Sequence, residues 1–157
     1  MFSKILLPVD MDELSFSYQA LDLALKGSRE AGTELHLVTV IPDNGTPVVA
    51  ACFQQAAVRK ATREAQCQLD DYAQQYLPAG CQATLTVLSG HPAGQLLGHA
   101  RIIDADLIIM AAHNRSRVDE ALLGSTTSKL VDKARCSVVV LRKEASATPM
   151  GQAVSAG

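Results

Sequence analysis

The residues best equipped for chemistry fall in three places: Asp10, directly after the run Lys4–Val9; the polar stretch that begins His113-Asn114-Arg115; and Gly124-Ser125-Thr126. An ionised carboxylate such as Asp10 accepts hydrogen bonds from sugar hydroxyls or a base, while the guanidinium of Arg115 is a permanently charged fork matched to phosphate oxygens. Gly124-Ser125-Thr126 opens a helical segment, where unpaired N–H groups, the positive dipole end and two hydroxyls together favour an anion. Plainer roles compete with these. Ser at a helix start commonly acts as an N-cap, and Asp10 is equally placed to cap the entry of the first helix. His36 and His99 read as solvent-facing or packed side chains, and His91, within Gly90-His91-Pro92, as part of a turn. Neither histidines nor cysteines stand at metal-ligand spacing. Cys52, Cys67, Cys81 and Cys136 form no C-x-x-C pair and read as reduced thiols packed as small hydrophobes. Arg117, Asp119 and Glu120 form a charged loop, from which Asp119 or Glu120 could reach a phosphate-bound Mg²⁺.

These residues need elements to hold them. Ser3–Val9 is almost wholly aliphatic and stops at Pro8 and Asp10, as expected of a strand buried on both faces. Leu14, Tyr18, Leu21 and Leu25 then recur at three- and four-residue steps, predicting one apolar helical stripe that ends near Gly32. Glu34–Ile41 is a second strand closed by Pro42 and Asn44-Gly45, and a loop runs on to about Val49. From Ala50 to Leu77 the positions Val58, Ala61, Ala65, Leu69, Tyr72 and Tyr76 mark a long amphipathic helix, stopped by Pro78 and Gly80. Cys81–Leu88 alternates like an edge strand, and Leu96, Ala100 and Ile103 mark a shorter helix. Ala105–Ala112 is the most apolar run and the expected partner of the first strand. A helix through Leu130, Val131 and Ala134 and a strand at Ser137–Leu141 complete the pattern, and a disordered tail is expected over 143–157.

Strands alternating with helices throughout predict an α/β fold, a doubly wound open parallel sheet of five strands with helices on both faces. With the two most apolar strands side by side, the order is 3-2-1-4-5. The chain direction then reverses between strands one and four, and ligands of open α/β sheets bind outside the carboxyl ends at such a switch point. Pro8, Val9, Asp10 and Ala111–Arg115 fall there.

Composition narrows the possible partners. With 14 basic residues against 16 acidic ones the formal charge is −2, which lacks the basic excess of a nucleic-acid binder. No apolar run approaches the ~20 residues that a bilayer core demands, and the first apolar run is broken too early for a signal peptide, so a cytoplasmic location is expected. G-x-x-x-x-G-K-[ST] is absent, and Gly90 and Gly94 do not form G-x-G-x-x-G after the first strand, which disfavours P-loop and ordinary dinucleotide sites.

Over residues 2–142 the chain resembles the universal stress protein family. The resemblance rests on K-I-L-L-P-V-D at Lys4–Asp10, L-S-G-H-P at Leu88–Pro92, D-L-I-I-M-A-A-H-N-R at Asp106–Arg115, L-L-G-S-T at Leu122–Thr126 and C-S-V-V-V-L-R at Cys136–Arg142. Nucleotide-binding members carry G-x-x-G, nine residues, then G-[ST]. Here Ala111-Ala112-His113-Asn114 stands at the first element, the nine residues Arg115–Leu123 follow, and Gly124-Ser125 completes the pattern. Spacing is kept while both leading glycines are replaced, by Ala111, which adds one methyl, and by Asn114, which tolerates a left-handed conformation. The A-x-H-x-R form resembles the F-type branch of the family, whose members bind ATP without the full glycine motif.

The resemblance implies a universal stress protein domain over 1–142 and an ATP site, with Mg²⁺ as a possible companion. Pro8 and Val9 would line the adenosine pocket, Asp10 would meet the nucleoside, and Val40 would present its backbone to the adenine edge. Met110 and Ala111 would flank ribose and phosphates, which His113, Asn114, Arg115, Gly124, Ser125 and Thr126 would surround. It also implies an antiparallel homodimer through the last strand, where Val138, Val139 and Val140 form an apolar edge. Three functions follow for comparison: an ATP-responsive regulatory homodimer in a stress response, a nucleotide-free dimeric interaction module, and a slow ATP hydrolase. The last lacks a convincing general base and a charge-stabilising Lys in its loop.

Overall fold

The computed structural model describes residues 2–28, 32–43, 51–112 and 123–142. Its elements are β1 (Lys4–Pro8), α1 (Leu14–Gly27), β2 (Glu34–Pro42), α2 (Ala51–Tyr76), β3 (Ala83–Gly90), α3 (Pro92–Ile102), β4 (Leu107–Ala112), α4 (Ser125–Lys133) and β5 (Ser137–Arg142). The sheet is parallel throughout, with order β3-β2-β1-β4-β5. This is the predicted arrangement, with the two aliphatic runs β1 and β4 adjacent at its centre. The expected tail at 143–157 lies outside the described residues.

Alternation along each strand divides the core into two layers. Ile5, Leu7, Leu35, Leu37, Leu107 and Ile109 pack with Ala20, Leu21 and Ala24 of α1 and Leu69, Tyr72 and Ala73 of α2. On the opposite face Leu6, Val38, Ile108 and Met110 pack with Leu96 and Ala100 of α3 and Leu130 of α4. At the amino ends of the strands the Asp106 carboxylate clips β1 to β4, accepting from Ser3 N–H at 2.8 Å and Lys4 N–H at 3.1 Å.

The opposite, carboxyl ends come apart at the centre. β1 pairs with β2 from Lys4↔Glu34 to Pro8↔Val38, and Val9 N–H extends that ladder to the Val38 carbonyl at 2.8 Å. Against β4, β1 is in register only at Ile5↔Leu107 and Leu6↔Ile108. The crossovers leave these two strands toward opposite sides of the sheet, so their ladder ends at Leu6 and a crevice opens there.

Several local expectations need correction. The buried stripe of α1 is Ser17, Ala20, Leu21 and Ala24, while Leu14 and Tyr18 are exposed. The α1–sheet interface is tight enough to select alanines over the larger apolar residues. Helix α1 ends at Ser28, whose N–H bonds the Ala24 carbonyl, rather than near Gly32. In α2, Val58 is exposed while Ala65, Leu69 and Tyr72 are buried as expected. Cys67 is exposed rather than packed, and Cys81 and Cys136 are half-buried. Burial holds the Cys136 thiol above its usual pKa, an outcome its own backbone N–H opposes and the Asp106 charge reinforces.

Candidate functional site

A cleft of about 870 Å³ occupies the crevice at the carboxyl ends of the strands. Every predicted site residue within the described segments lines it: Pro8, Val9, Asp10, Val40, Met110, Ala111, Gly124, Ser125 and Thr126. His113, Asn114 and Arg115 lie outside the described residues, as do Asp119 and Glu120.

The floor is apolar. Val9, Val38, Leu96 and Met110 are almost fully buried, and Val40, Ile41, Pro42 and Ala111 extend the surface. Among the described lining residues there is no aromatic ring; Tyr72 and Tyr76 of α2 pack with each other, and Tyr76 packs with Tyr18 of α1. A flat hydrophobic group would therefore be held by aliphatic contact and backbone polar groups.

Asp10 marks one side of the cleft. Its backbone N–H donates to Ser17 Oγ at 3.2 Å, and its Oδ1 accepts from Asp12 N–H at 2.9 Å. That closes a turn three residues before α1 begins. The N-cap position of α1 is Glu13, which makes no side-chain cap bond, so Asp10 is not the N-cap itself but holds the turn that leads into the helix. Asp12 lines the same wall, as does Glu64 of α2, so this side is acidic.

The other side is built from two helix starts. Gly124 is the N-cap of α4 and supplies no side-chain cap bond, so Ser125 is the first helical residue and not the cap. The helix's own ladder begins with Ser128 N–H donating to the Gly124 carbonyl at 2.9 Å. The N–H groups of the preceding turn have no partner within the helix, and they lie beside the Ser125 and Thr126 hydroxyls on the cleft wall. Pro92 opens α3 against the cleft, and His91 Nδ1 accepts from Gly94 N–H at 3.4 Å as the N-cap of that helix. Gly90, at φ +133°, makes the reversal from β3 into α3. The positive φ is what calls for glycine, since the Gln95 amide that a Cβ would meet at 2.9 Å ends a flexible side chain. His91 is thus more than a turn marker, and its Nε2 lies 3.2 Å from Lys129 Nζ of α4.

Several lining residues escaped the sequence reading: Met11, Asp12, Ser17, Thr39, Pro92, Leu96, Thr127 and the α2 wall of Ala61, Glu64, Ala65 and Gln68. Ser17, Thr39 and Thr127 left a usable signal, since each is a buried polar residue within an apolar stripe. The α2 wall left none. Chemically, the cleft offers an apolar floor, acceptors on one side and an anion cradle on the other. Among the described residues no group of histidine, cysteine and carboxylate side chains could hold a metal ion, and no His, Cys, Lys or Arg lines the cleft. No helix of the described residues is long and apolar enough to cross a membrane.

Comparison with known proteins agrees with this architecture. The family model described as "Universal stress protein family" matches residues 1–142. The chain is 27% identical to universal stress protein YxiE of Bacillus subtilis, over 90% of this chain and all of that protein. It is 24% identical to universal stress protein MJ0531 of Methanocaldococcus jannaschii, over 91% of this chain and 84% of the other. Among solved structures, MJ0577 superposes with a TM-score of 0.80 at 25% identity, covering 93% of this chain and 99% of that one. A universal stress protein in complex with cAMP shares the fold, with a TM-score of 0.60 at 18% identity, covering 91% and 98%. A family match over all the described segments, on a sheet of the predicted order with its cleft at the predicted switch point, shows that this chain belongs to the universal stress protein family.

Proposed function

We propose that the protein binds ATP in the switch-point cleft and acts as a nucleotide-responsive regulatory homodimer in the cytoplasm. The observation that carries this reading is the convergence, in one cleft, of the Asp10 carboxylate, the Val9 and Met110 floor, and an α4 start whose cap leaves its first N–H groups for a ligand. An adenosine body fits the floor, its hydroxyl and amine donors suit the acidic side, and its phosphates suit the helix start. A protein of the same fold has been solved with cAMP, so the fold accommodates an adenine nucleotide. His113, Asn114 and Arg115 complete the phosphate side in this reading, and the A-x-H-x-R form of that loop is our reason for assigning the chain to the F-type branch. Denaturing the purified protein and separating the supernatant by chromatography tests the proposal. Released ATP supports it; no released nucleotide, together with no uptake when millimolar ATP and Mg²⁺ are added, overturns it.

A second reading, a dimeric module that works without nucleotide, is favoured by Ala111 and Asn114 standing where nucleotide-binding relatives are expected to carry glycine. It shares the dimer with the first. Strand β5 is an outer strand of the sheet, and Val138, Val139 and Val140 are only half-buried along it. Proline at Val139 removes a ladder donor, so Val139→Pro yields monomers in light scattering if this edge pairs two chains. An unchanged mass places the interface elsewhere.

A further inference from the structure

His36 is a polar residue in the middle of a central strand. In register it lies beside Leu6 of β1 and Thr84 of β3, and it shares the sheet face of Leu6 and Val38, over which α3 packs. It is 8% exposed, and neither ring nitrogen has a hydrogen-bond partner. His99 of α3 meets it edge-on, with ring centroids 6.4 Å apart, and the buried His99 Nε2 is also without a partner. Two imidazoles therefore form part of the seam between α3 and the sheet, and three of their nitrogens are unsatisfied there. Native cores pair such groups, so an unpaired titratable pair calls for a role.

We propose that His99, seated edge-on against His36, is a proton-operated latch, which keeps α3 on the sheet while its ring is neutral and loosens it when the ring takes up a proton. The latch acts on the cleft because Pro92 and Leu96 of the same helix form part of the cleft wall. This goes beyond nucleotide binding and does not depend on it.

The surroundings of His99 favour its neutral form. From β2, the Glu34 carboxylate lies 3.5 Å from His36 Nε2 and is itself mostly exposed. The residues that neighbour His36 across the ladder, Leu6 and Thr84, are uncharged. The positions one turn from His99, Gln95 of α3 and its C-cap Ile103, are uncharged, and α4 directs Lys129 at His91, at the other end of α3. Among the described residues no carboxylate lies within ion-pair distance of His99. Burial, and then the neighbouring His36, hold the His99 pKa below the usual histidine value. A group with a depressed folded-state pKa and an ordinary unfolded one, about 6.5, binds its proton more readily when released. The seam is therefore at full strength above about pH 6.5 and weakens as pH falls below it, by up to about tenfold in the closing equilibrium per pH unit per proton.

His91 is the competing explanation, because protonation would also cost α3 its N-cap acceptor. Hydrogen exchange of the wild-type chain without nucleotide, at about pH 7.5 and about pH 5.5 and corrected for intrinsic rates, separates the two with two variants. In the wild type, α3 amides lose about tenfold in protection at the lower pH relative to α1 amides. His99→Gln abolishes that difference, and His91→Asn, which keeps an acceptor that does not titrate, retains it. Equal behaviour of α3 and α1 in the wild type overturns the latch, whether or not either variant folds. Retention of the pH effect in His99→Gln, or its loss in His91→Asn, overturns it as well.

Discussion

The two faces of the sheet are made by alternate residues of the same strands, yet they are built for different work. Beneath α1 and α2 the layer is aliphatic side chains and Tyr72, whose buried phenol is held well above its usual pKa by desolvation. Beneath α3 and α4 the layer admits His36, His99 and Thr127. The first face supplies the acidic wall of the cleft, and the second supplies both helix starts. The contrast teaches that one side anchors the sheet, while the other carries the helix starts proposed to meet an anion and the histidine proposed to answer to pH.

The sharpest way to break this contrast is to damage the anchoring face alone. Leu37 is fully buried under α1 and α2, and Leu37→Ala is expected to cost about 2–5 kcal/mol in urea unfolding. Nucleotide affinity of the folded fraction should stay unchanged, and a parallel loss of affinity would show that the two faces are not separable. Asp10→Ala should do the reverse. Losing hydrogen bonds to a charged acceptor weakens ATP and adenosine alike, by about tenfold or more in calorimetry, while the lost turn bonds, that to Asp12 among them, cost about 1.5 kcal/mol of stability.

Smaller effects sharpen the division within the cleft itself. Arg115→Ala should weaken ATP more than AMP, and equal losses would contradict a phosphate role. Ser125→Ala should weaken ATP a few-fold and change stability by less than about 0.5 kcal/mol, because Gly124 and not Ser125 caps α4. A loss nearer 1 kcal/mol in thermal unfolding, with affinity unchanged, would return Ser125 to a capping role.

The two faces also differ in how far the sequence disclosed them. Strand order was legible because β1 and β4 are uninterrupted aliphatic runs, the mark of strands covered on both sides, and residues at their ends follow directly onto the switch point. The stripe of α1 was not, because large side chains dominate a periodic pattern while close packing on the sheet selected Ala20 and Ala24. Glu64 and Gln68 were invisible as cleft residues, since only the β2–α2 crossover brings them beside Asp10 and Asp12. His36 and Thr39 interrupt the apolar run Leu35–Ile41, but the pairing of His36 with His99 depends on where α3 lands.

The central claim is that the cleft binds ATP, and titration calorimetry of the wild-type chain with ATP and Mg²⁺ tests it most directly. The account predicts one saturable site per chain. No saturable heat up to millimolar ATP, from protein shown to be folded and free of carried-over nucleotide, would contradict it.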